Sequence, residues 1–301
     1  MPIREVYRRR ASLAKSGVYL QSVPVSNGGP KATEWQQAFA YRARQNRTIK
    51  DGWLCVWSDA HYWPGDAPVA HSALLLILKE FKPKLIIGNG DIFDGARVSR
   101  HEPMGWQKLP TVIEELDCVK LRLSEMRRAS PKSETLRTIG NHCSRFDRRL
   151  ATEVGEFEDV PGMRLSDHLK DWPDSYTVMI NEEIDPVFVL HNIRGGMYAP
   201  ANNVRAAGCT VITGHLHSQK SIPVTTLMQD MEGIDAGCLA DVDHPAFAYA
   251  MDRPRDWRAG FVMMKFDAQG RRMPAEFCRV QWTKKYARAV WRSEVIYEKK
   301  L

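Results

Sequence analysis

Five clusters in this 301-residue chain place side chains that bind metals or move protons close together in sequence. They are Asp59 with His61, Asp91 with Asp94, Asn141 with His142, His191, and His215 with His217. Leaving aside Asp94 and His142, the other seven offer mixed oxygen and imidazole donors and no thiolate. That set suits Mn, Fe, Zn or Ni better than Ca or Mg. Seven donors are too many for one tetrahedral ion. Two ions about 3.5–4 Å apart, sharing a carboxylate, would use them all and keep positions open for water and substrate. Such a pair is catalytic in design.

Each cluster follows a short apolar run. Trp53–Trp57 precedes Asp59, Leu85–Gly88 precedes Asp91, Thr135–Ile139 precedes Asn141, Val187–Leu190 precedes His191, and Cys209–Thr213 precedes His215. If each run is a strand, every cluster lies at a carboxyl end, the edge of an α/β sheet where loops converge on a ligand crevice. Asp59 and His61 are two residues apart and project together where the strand ends; His215 and His217 repeat the spacing. The connecting elements read as helices at Val69–Phe81, apolar on most faces, and at Thr111–Ala129, where Val112, Leu116, Val119, Leu123 and Met126 recur at three and four. Phe261–Phe266 and Glu276–Thr283 read as strands, with the basic C-terminal stretch leaving the fold near Lys284. Residues 1–50 form an expected arm with the breakers Ser26-Asn27-Gly28-Gly29-Pro30, and 51–301 the expected catalytic domain.

Asp-x-His at 59–61, Gly-Asp-x-x-Asp at 90–94, Gly-Asn-His at 140–142, the lone His191 and Gly-His-x-His at 214–217 resemble, in order, the five blocks of the calcineurin-like metallophosphoesterase superfamily. The resemblance implies an α/β/β/α sandwich of four layers with two mixed sheets. It implies one ion on Asp59, His61, Asp91 and His217 and a second on Asp91, Asn141, His191 and His215, with Asp91 bridging. His142 would face substrate as acid or oxyanion stabiliser, oriented by Asp94, while a hydroxide bridging the metals attacks phosphorus. The chemistry is consistent: an imidazole held by a carboxylate donates a proton near neutral pH, and a departing alkoxide needs one. Arg97 and Arg145, close to the second and third blocks, are candidate phosphate clamps. Two positions depart from the family pattern: Cys143 stands where an acid usually follows Gly-Asn-His, and Asn192 follows His191.

The expected function is hydrolysis of phosphate esters, phosphodiesters first, with nucleic acid or nucleotide as possible substrates and two divalent ions, Mn²⁺ first, as cofactors. A phosphomonoesterase acting on proteins or metabolites is the alternative, followed by a non-catalytic binding module. A third alternative comes from Cys143, which with Arg149 satisfies the His-Cys-(x)5-Arg spacing of cysteine-dependent phosphatases. The intervening Ser144-Arg145-Phe146-Asp147-Arg148 lacks the glycine that lets amides converge on phosphate and carries a repelling Asp147.

Composition, at 44% hydrophobic and 26% charged residues, excludes disorder, collagen and coiled coil. The longest apolar stretch, Ala73–Leu78, is far short of a membrane span. The N-terminal residues lack a secretory core, so a cytoplasmic location and reduced thiols are expected for the six scattered cysteines. Charge is uneven. Residues 1–50 hold ten Lys/Arg and two Asp/Glu, and residues 271–301 hold nine and three, flanking an acidic middle. Arg8, Arg9, Arg10 and Lys15, with Lys284, Lys285 and Arg288, make nucleic acid a candidate partner.

Overall fold

A computed structural model describes residues 44–101, 105–250 and 255–301. Most of the expected arm, with Arg8, Arg9, Arg10 and Lys15, lies outside the described residues. Its last part does not behave as an arm. Strand β1 (Arg44–Arg47) pairs in parallel with a strand at Thr177–Ile180, so the folded body begins before residue 51.

Strand β2 (Gly52–Trp57) is followed by helix α1 (Val69–Phe81), β3 (Leu85–Asn89), α2 (Val112–Ala129) and β4 (Glu134–Thr138). Helix α2 starts at a capping box: the Thr111 hydroxyl accepts from the Glu114 N–H, and the Glu114 carboxylate accepts from the Thr111 N–H. Helices α3 (Ser144–Glu153) and α4 (Leu165–His168) then lead to β5 (Asp174–Ser175), β6 (Thr177–Ile180) and β7 (Val187–Leu190). The chain continues through α5 (Ala199–Ala207), β8 (Thr210–Thr213), β9 (Lys220–Thr225), β10 (Asp230–Asp235), β11 (Gly260–Phe266), β12 (Glu276–Trp282), β13 (Tyr286–Trp291) and β14 (Glu294–Lys300).

The result is a mixed α/β architecture with two mixed sheets. One runs β14-β13-β12-β11-β2-β3-β4-β5, parallel from β2 to β5 and antiparallel from β2 outward through β14. The other runs β1-β6-β7-β8-β10-β9, with β7, β8 and β10 parallel to one another. The alternation of side chains along each strand builds the layers. Leu54 and Val56 of β2, with Ile87 of β3, face Val189, Ile212 and Ile234 of the second sheet in a core between the sheets. Cys55 and Trp57 point the other way, against Ala73, Leu74 and Ile77 of α1 and Val119 and Leu123 of α2. On the outer face of the second sheet, Val204 of α5 packs on Val211 and Met231. Helix, sheet, sheet and helix follow in that order.

The C-terminal stretch does not leave the fold at Lys284. Ala287, Ala289 and Trp291 are buried along β13, and the charges between them find partners: Arg288 pairs with Glu298, Arg292 with Glu276 at 2.6 Å, and Lys299 with Asp66 at 2.9 Å. A hairpin extends the sheet where the charge count suggests a free tail. All six cysteines are buried and unbridged. Among the described residues, no helix is long and apolar enough to cross a membrane.

Candidate metal centre

The carboxyl ends of β2, β3 and β4 in one sheet and of β7 and β8 in the other meet at one edge. Backbone and side-chain bonds stitch the edge together: Asp59 N–H donates to Gly90 O at 3.1 Å, Gly214 N–H to His191 O at 3.0 Å, and the Asn89 amide to Leu190 O at 3.1 Å. The two sheets therefore deliver their terminal residues to one place. Two groups of donors form there, Asp59 with His61 and His217, and Asp91 with His191 and His215; in each, the donor atoms lie within 4.8 Å of one another. A third such group, His61, Asp91 and His142, overlaps both. Asn141 is exposed, at the edge of the adjoining cavity.

Five of these residues, Asp59, His61, Asp91, His215 and His217, have left-handed backbone with φ of 42–71°. For a non-glycine residue that conformation costs about 1–3 kcal/mol and persists where the surroundings over-determine it. The turns carry the backbone out of the extended conformation at each of these positions. Glycines admit the close approaches: a Cβ on Gly140 would sit 2.1 Å from Asp91 Oδ1, and one on Gly214 would sit 1.8 Å from Ser58 Oγ.

Hydrogen bonds fix which nitrogen each imidazole offers. His191 Nδ1–H donates to Asn89 O at 2.8 Å, and His61 Nδ1–H donates to Asp94 Oδ1 at 2.9 Å. Each ring thus turns Nε2 inward, and both Nε2 atoms are buried without a hydrogen-bond partner. His191 Nε2 faces Asp91 Oδ2 at 3.0 Å, and His61 Nε2 faces Asp59 Oδ1 at 3.8 Å. A lone pair aimed at a carboxylate is repulsive unless a proton or a cation lies between them. The donor set therefore fits divalent metal, with the outer nitrogens held by a carboxylate and a carbonyl as metal-ligating histidines usually are.

The electrostatics carry the same mark. Burial alone would lower the pKa of His61, but Asp59 and Asp94 raise it to about 10; His191 rises to about 9 against its own burial, through Asp91 and Asp59. Asp59, Asp91 and Asp94 are held below the usual carboxylate range by these imidazoles despite burial. Carboxylates so concentrated call for positive charge from protons or from metal ions.

Asp94 has a second ligand for the same oxygen: His142 Nδ1–H donates to Oδ1 at 2.8 Å. Burial and the neighbouring His61 lower the His142 pKa. Its Nε2 accepts from the Arg145 guanidinium at 3.1 Å, and Arg145 also donates to Asp94 O at 2.9 Å. Asp94, Asn141, His142 and Arg145 line a cavity of about 460 Å³ with Trp63 and Tyr249. Arg97 is not brought into it. Its guanidinium donates to the carbonyls of Leu109 and Pro110, so the clamp suggested by sequence proximity is spent on its own loop.

Cys143 is buried, burial raises its thiol pKa, and the following residues are α3, with Arg149 paired to Glu153 at 3.1 Å. The residues between Cys143 and Arg149 run in a helix instead of a loop folded round an anion, and Arg149 is turned to Glu153, so the thiolate chemistry lacks its arginine-closed cradle. Of the histidines outside the clusters, His71 is a buried bridge between Tyr62 Oη at 2.7 Å and Glu125 at 2.9 Å. Residues beyond the five clusters complete the centre. Phe247 packs on His61 and His217 with ring centroids 5.0 and 5.1 Å apart, and Trp257 lies 4.7 Å from His217. Glu115 of α2 anchors the second block by accepting from Gly95 N–H at 2.6 Å, and burial raises its pKa to about 8. No periodicity marks Phe247 or Trp257 in the sequence.

No family model and no curated protein matches this sequence. Among solved structures the chain is similar to Vps29 from Chaetomium thermophilum, with a TM-score of 0.40 and 10% identity over 83% of this chain and 97% of that one. It is similar to zinc-complexed Vps29 from Entamoeba histolytica, with a TM-score of 0.39 and 12% identity over 83% of this chain and 98% of that one. A single mutant of that protein matches at a TM-score of 0.39 and 13% identity, with the same coverage.

Proposed function

We propose that the chain is a metal-dependent phosphoesterase of the calcineurin-like kind, acting on phosphodiesters. One observation carries the reading: two buried groups of imidazole and carboxylate donors, with unpartnered nitrogens turned on carboxylates, stand side by side at the edge of a cavity that also holds His142 and Arg145. Asp59, His61, Asp91 and His217 would hold one divalent ion and Asp91, Asn141, His191 and His215 a second, supplying Lewis acidity to the phosphoryl group and lowering the pKa of water for attack.

The chain's own residues do the rest. Arg145 presents a guanidinium to the cavity and pairs with phosphoryl oxygens. Asp94 fixes His142 with Nδ1 protonated, and the Arg145 guanidinium, which donates to Nε2, turns to the phosphoryl oxygens when substrate enters and leaves Nε2 free to face it. An anionic phosphate beside His142 offsets the burial that holds its pKa down, so the imidazolium forms with substrate present. Water attacks phosphorus, the bond from phosphorus to the leaving oxygen breaks, that oxygen takes the Nε2 proton, and the proton shed by the attacking water passes to solvent, from which Nε2 is reprotonated. Phe247 and Trp257 limit water on the other side of His217.

A parallel assay of bis(nitrophenyl) phosphate and nitrophenyl phosphate with added Mn²⁺ tests the substrate class. Faster turnover of the diester is expected. Hydrolysis confined to the monoester would establish the phosphomonoesterase alternative, and hydrolysis of neither would leave the fold as a binding module.

A further inference from the structure

Beside the candidate centre lies a second depression, a groove of about 650 Å³ lined chiefly by Arg255, Trp257, Arg258, Arg279, Gln281 and Trp282. Among the described residues three cations line it and no carboxylate does; Asp256, adjacent in sequence, is not part of its wall. The three guanidiniums are also set apart by their partners. Among the described residues, Arg255 lies over the Trp257 ring at 4.7 Å, Arg258 donates to Trp257 O at 2.7 Å, and Arg279 donates to Gln219 Oε1 at 2.9 Å. None of these partners carries charge. Several arginines elsewhere in the fold are neutralised, Arg137 by Asp174 at 2.9 Å, Arg164 by Glu158 at 2.7 Å and Arg292 by Glu276 at 2.6 Å, whereas three uncompensated guanidiniums gather on this one groove. Like charges gathered without counter-charge cost free energy that a bound anion recovers.

The groove adjoins the centre. Arg258 N–H donates to His217 O at 2.7 Å, and Trp257 forms the shared wall, packing on His217 on one side and lining the groove on the other. Its volume exceeds what a single phosphate needs and falls in the range of sites for larger ligands. Its chemistry is doubled: guanidiniums suited to phosphate oxygens alternate with the half-buried indoles Trp257 and Trp282, rings on which a planar base can stack, the Trp257 face under Arg255 being opened when that guanidinium turns to a phosphate. A phosphodiester chain bearing unstacked bases presents both. A duplex presents its phosphates but keeps the base faces stacked inside.

We propose that this groove binds a single-stranded nucleic acid, the arginines taking backbone phosphates and the tryptophans stacking bases, so that the strand runs on towards the Asp59–His217 cluster. As an account of substrate the inference rests on the phosphoesterase reading; as an account of binding it does not. The test therefore measures binding by the full chain with chelator present, using the anisotropy of a fluorescein-labelled thymidine 12-mer across a salt series. Replacing Arg255→Gln together with Arg258→Gln weakens binding at least about tenfold at low salt and flattens the slope of log affinity against log salt by about 1.4, the equivalent of two single-strand phosphate contacts. Arg279→Gln alone, checked for an unchanged thermal transition, weakens it in the same direction. Arg127→Gln with Arg128→Gln removes the same charge from α2 and leaves binding within about twofold of wild type. Unchanged binding in the groove variants, an equal loss in the α2 variant, or a duplex bound as tightly as the strand would each overturn the proposal. If wild type binds the strand as described but leaves bis(nitrophenyl) phosphate intact with Mn²⁺, the phosphoesterase reading fails and the groove stands.

Discussion

Replacing Asp91 with Asn is expected to cut hydrolysis of bis(nitrophenyl) phosphate by more than about 100-fold and to leave less than one ion per chain. The reason is position. Asp91 Oδ2 lies 3.0 Å from His191 Nε2 while Oδ1 accepts the His142 N–H at 2.7 Å, and the residue belongs to two of the three donor groups. Loss of an outer partner of a ligand already costs roughly 10–100-fold in metal affinity or activity, and a shared carboxylate loses more because both ions depend on it. Metal analysis and rate measured on the same preparation check the expectation. Two retained ions with normal turnover would remove Asp91 from the role of bridge.

The second large effect is expected at Asp94. One oxygen, Oδ1, holds the Nδ1–H of both His61 and His142, so Asp94→Asn disturbs a metal-facing imidazole and the proposed acid together. An amide can present an N–H where the carboxylate accepted one, which favours the wrong tautomer in either ring. Turnover should fall by about 10²–10⁴-fold, the contribution of a positioned acid, and metal affinity should fall by roughly tenfold or more. His142→Gln should lower turnover with metal content intact. The two variants thus separate by metal analysis; equal metal content in both would show that Asp94 supports His142 alone.

The gathering of the donor clusters was legible because each cluster follows an apolar run, and parallel strands bring their carboxyl ends to one edge whatever the loops do. Helix α1 was legible as a run apolar on most faces, and α2 through its periodicity. What escaped depended on tertiary choices. Arg44–Arg47 has no apolar alternation and is a strand only because β6 offers it an edge. In β13 the inward residues include Ala287 and Ala289, too small to stand out among Arg288 and Arg292, so the count of charge outweighed the pattern. Arg97 was placed near substrate by sequence distance, but its loop folds the guanidinium back onto Leu109 and Pro110. The left-handed turns at Asp59, His61 and Asp91 leave no compositional trace, since none is glycine.

The most direct measurement follows metal content and hydrolysis of bis(nitrophenyl) phosphate together in the full chain, through exhaustive chelation and stepwise return of Mn²⁺. A centre in which the two donor groups share Asp91, as proposed, requires the rate to fall to background as the metal is removed and to recover as two ions per chain bind, with Mn²⁺ restoring more than Mg²⁺. Undiminished hydrolysis at zero metal content would contradict a metal-dependent phosphoesterase.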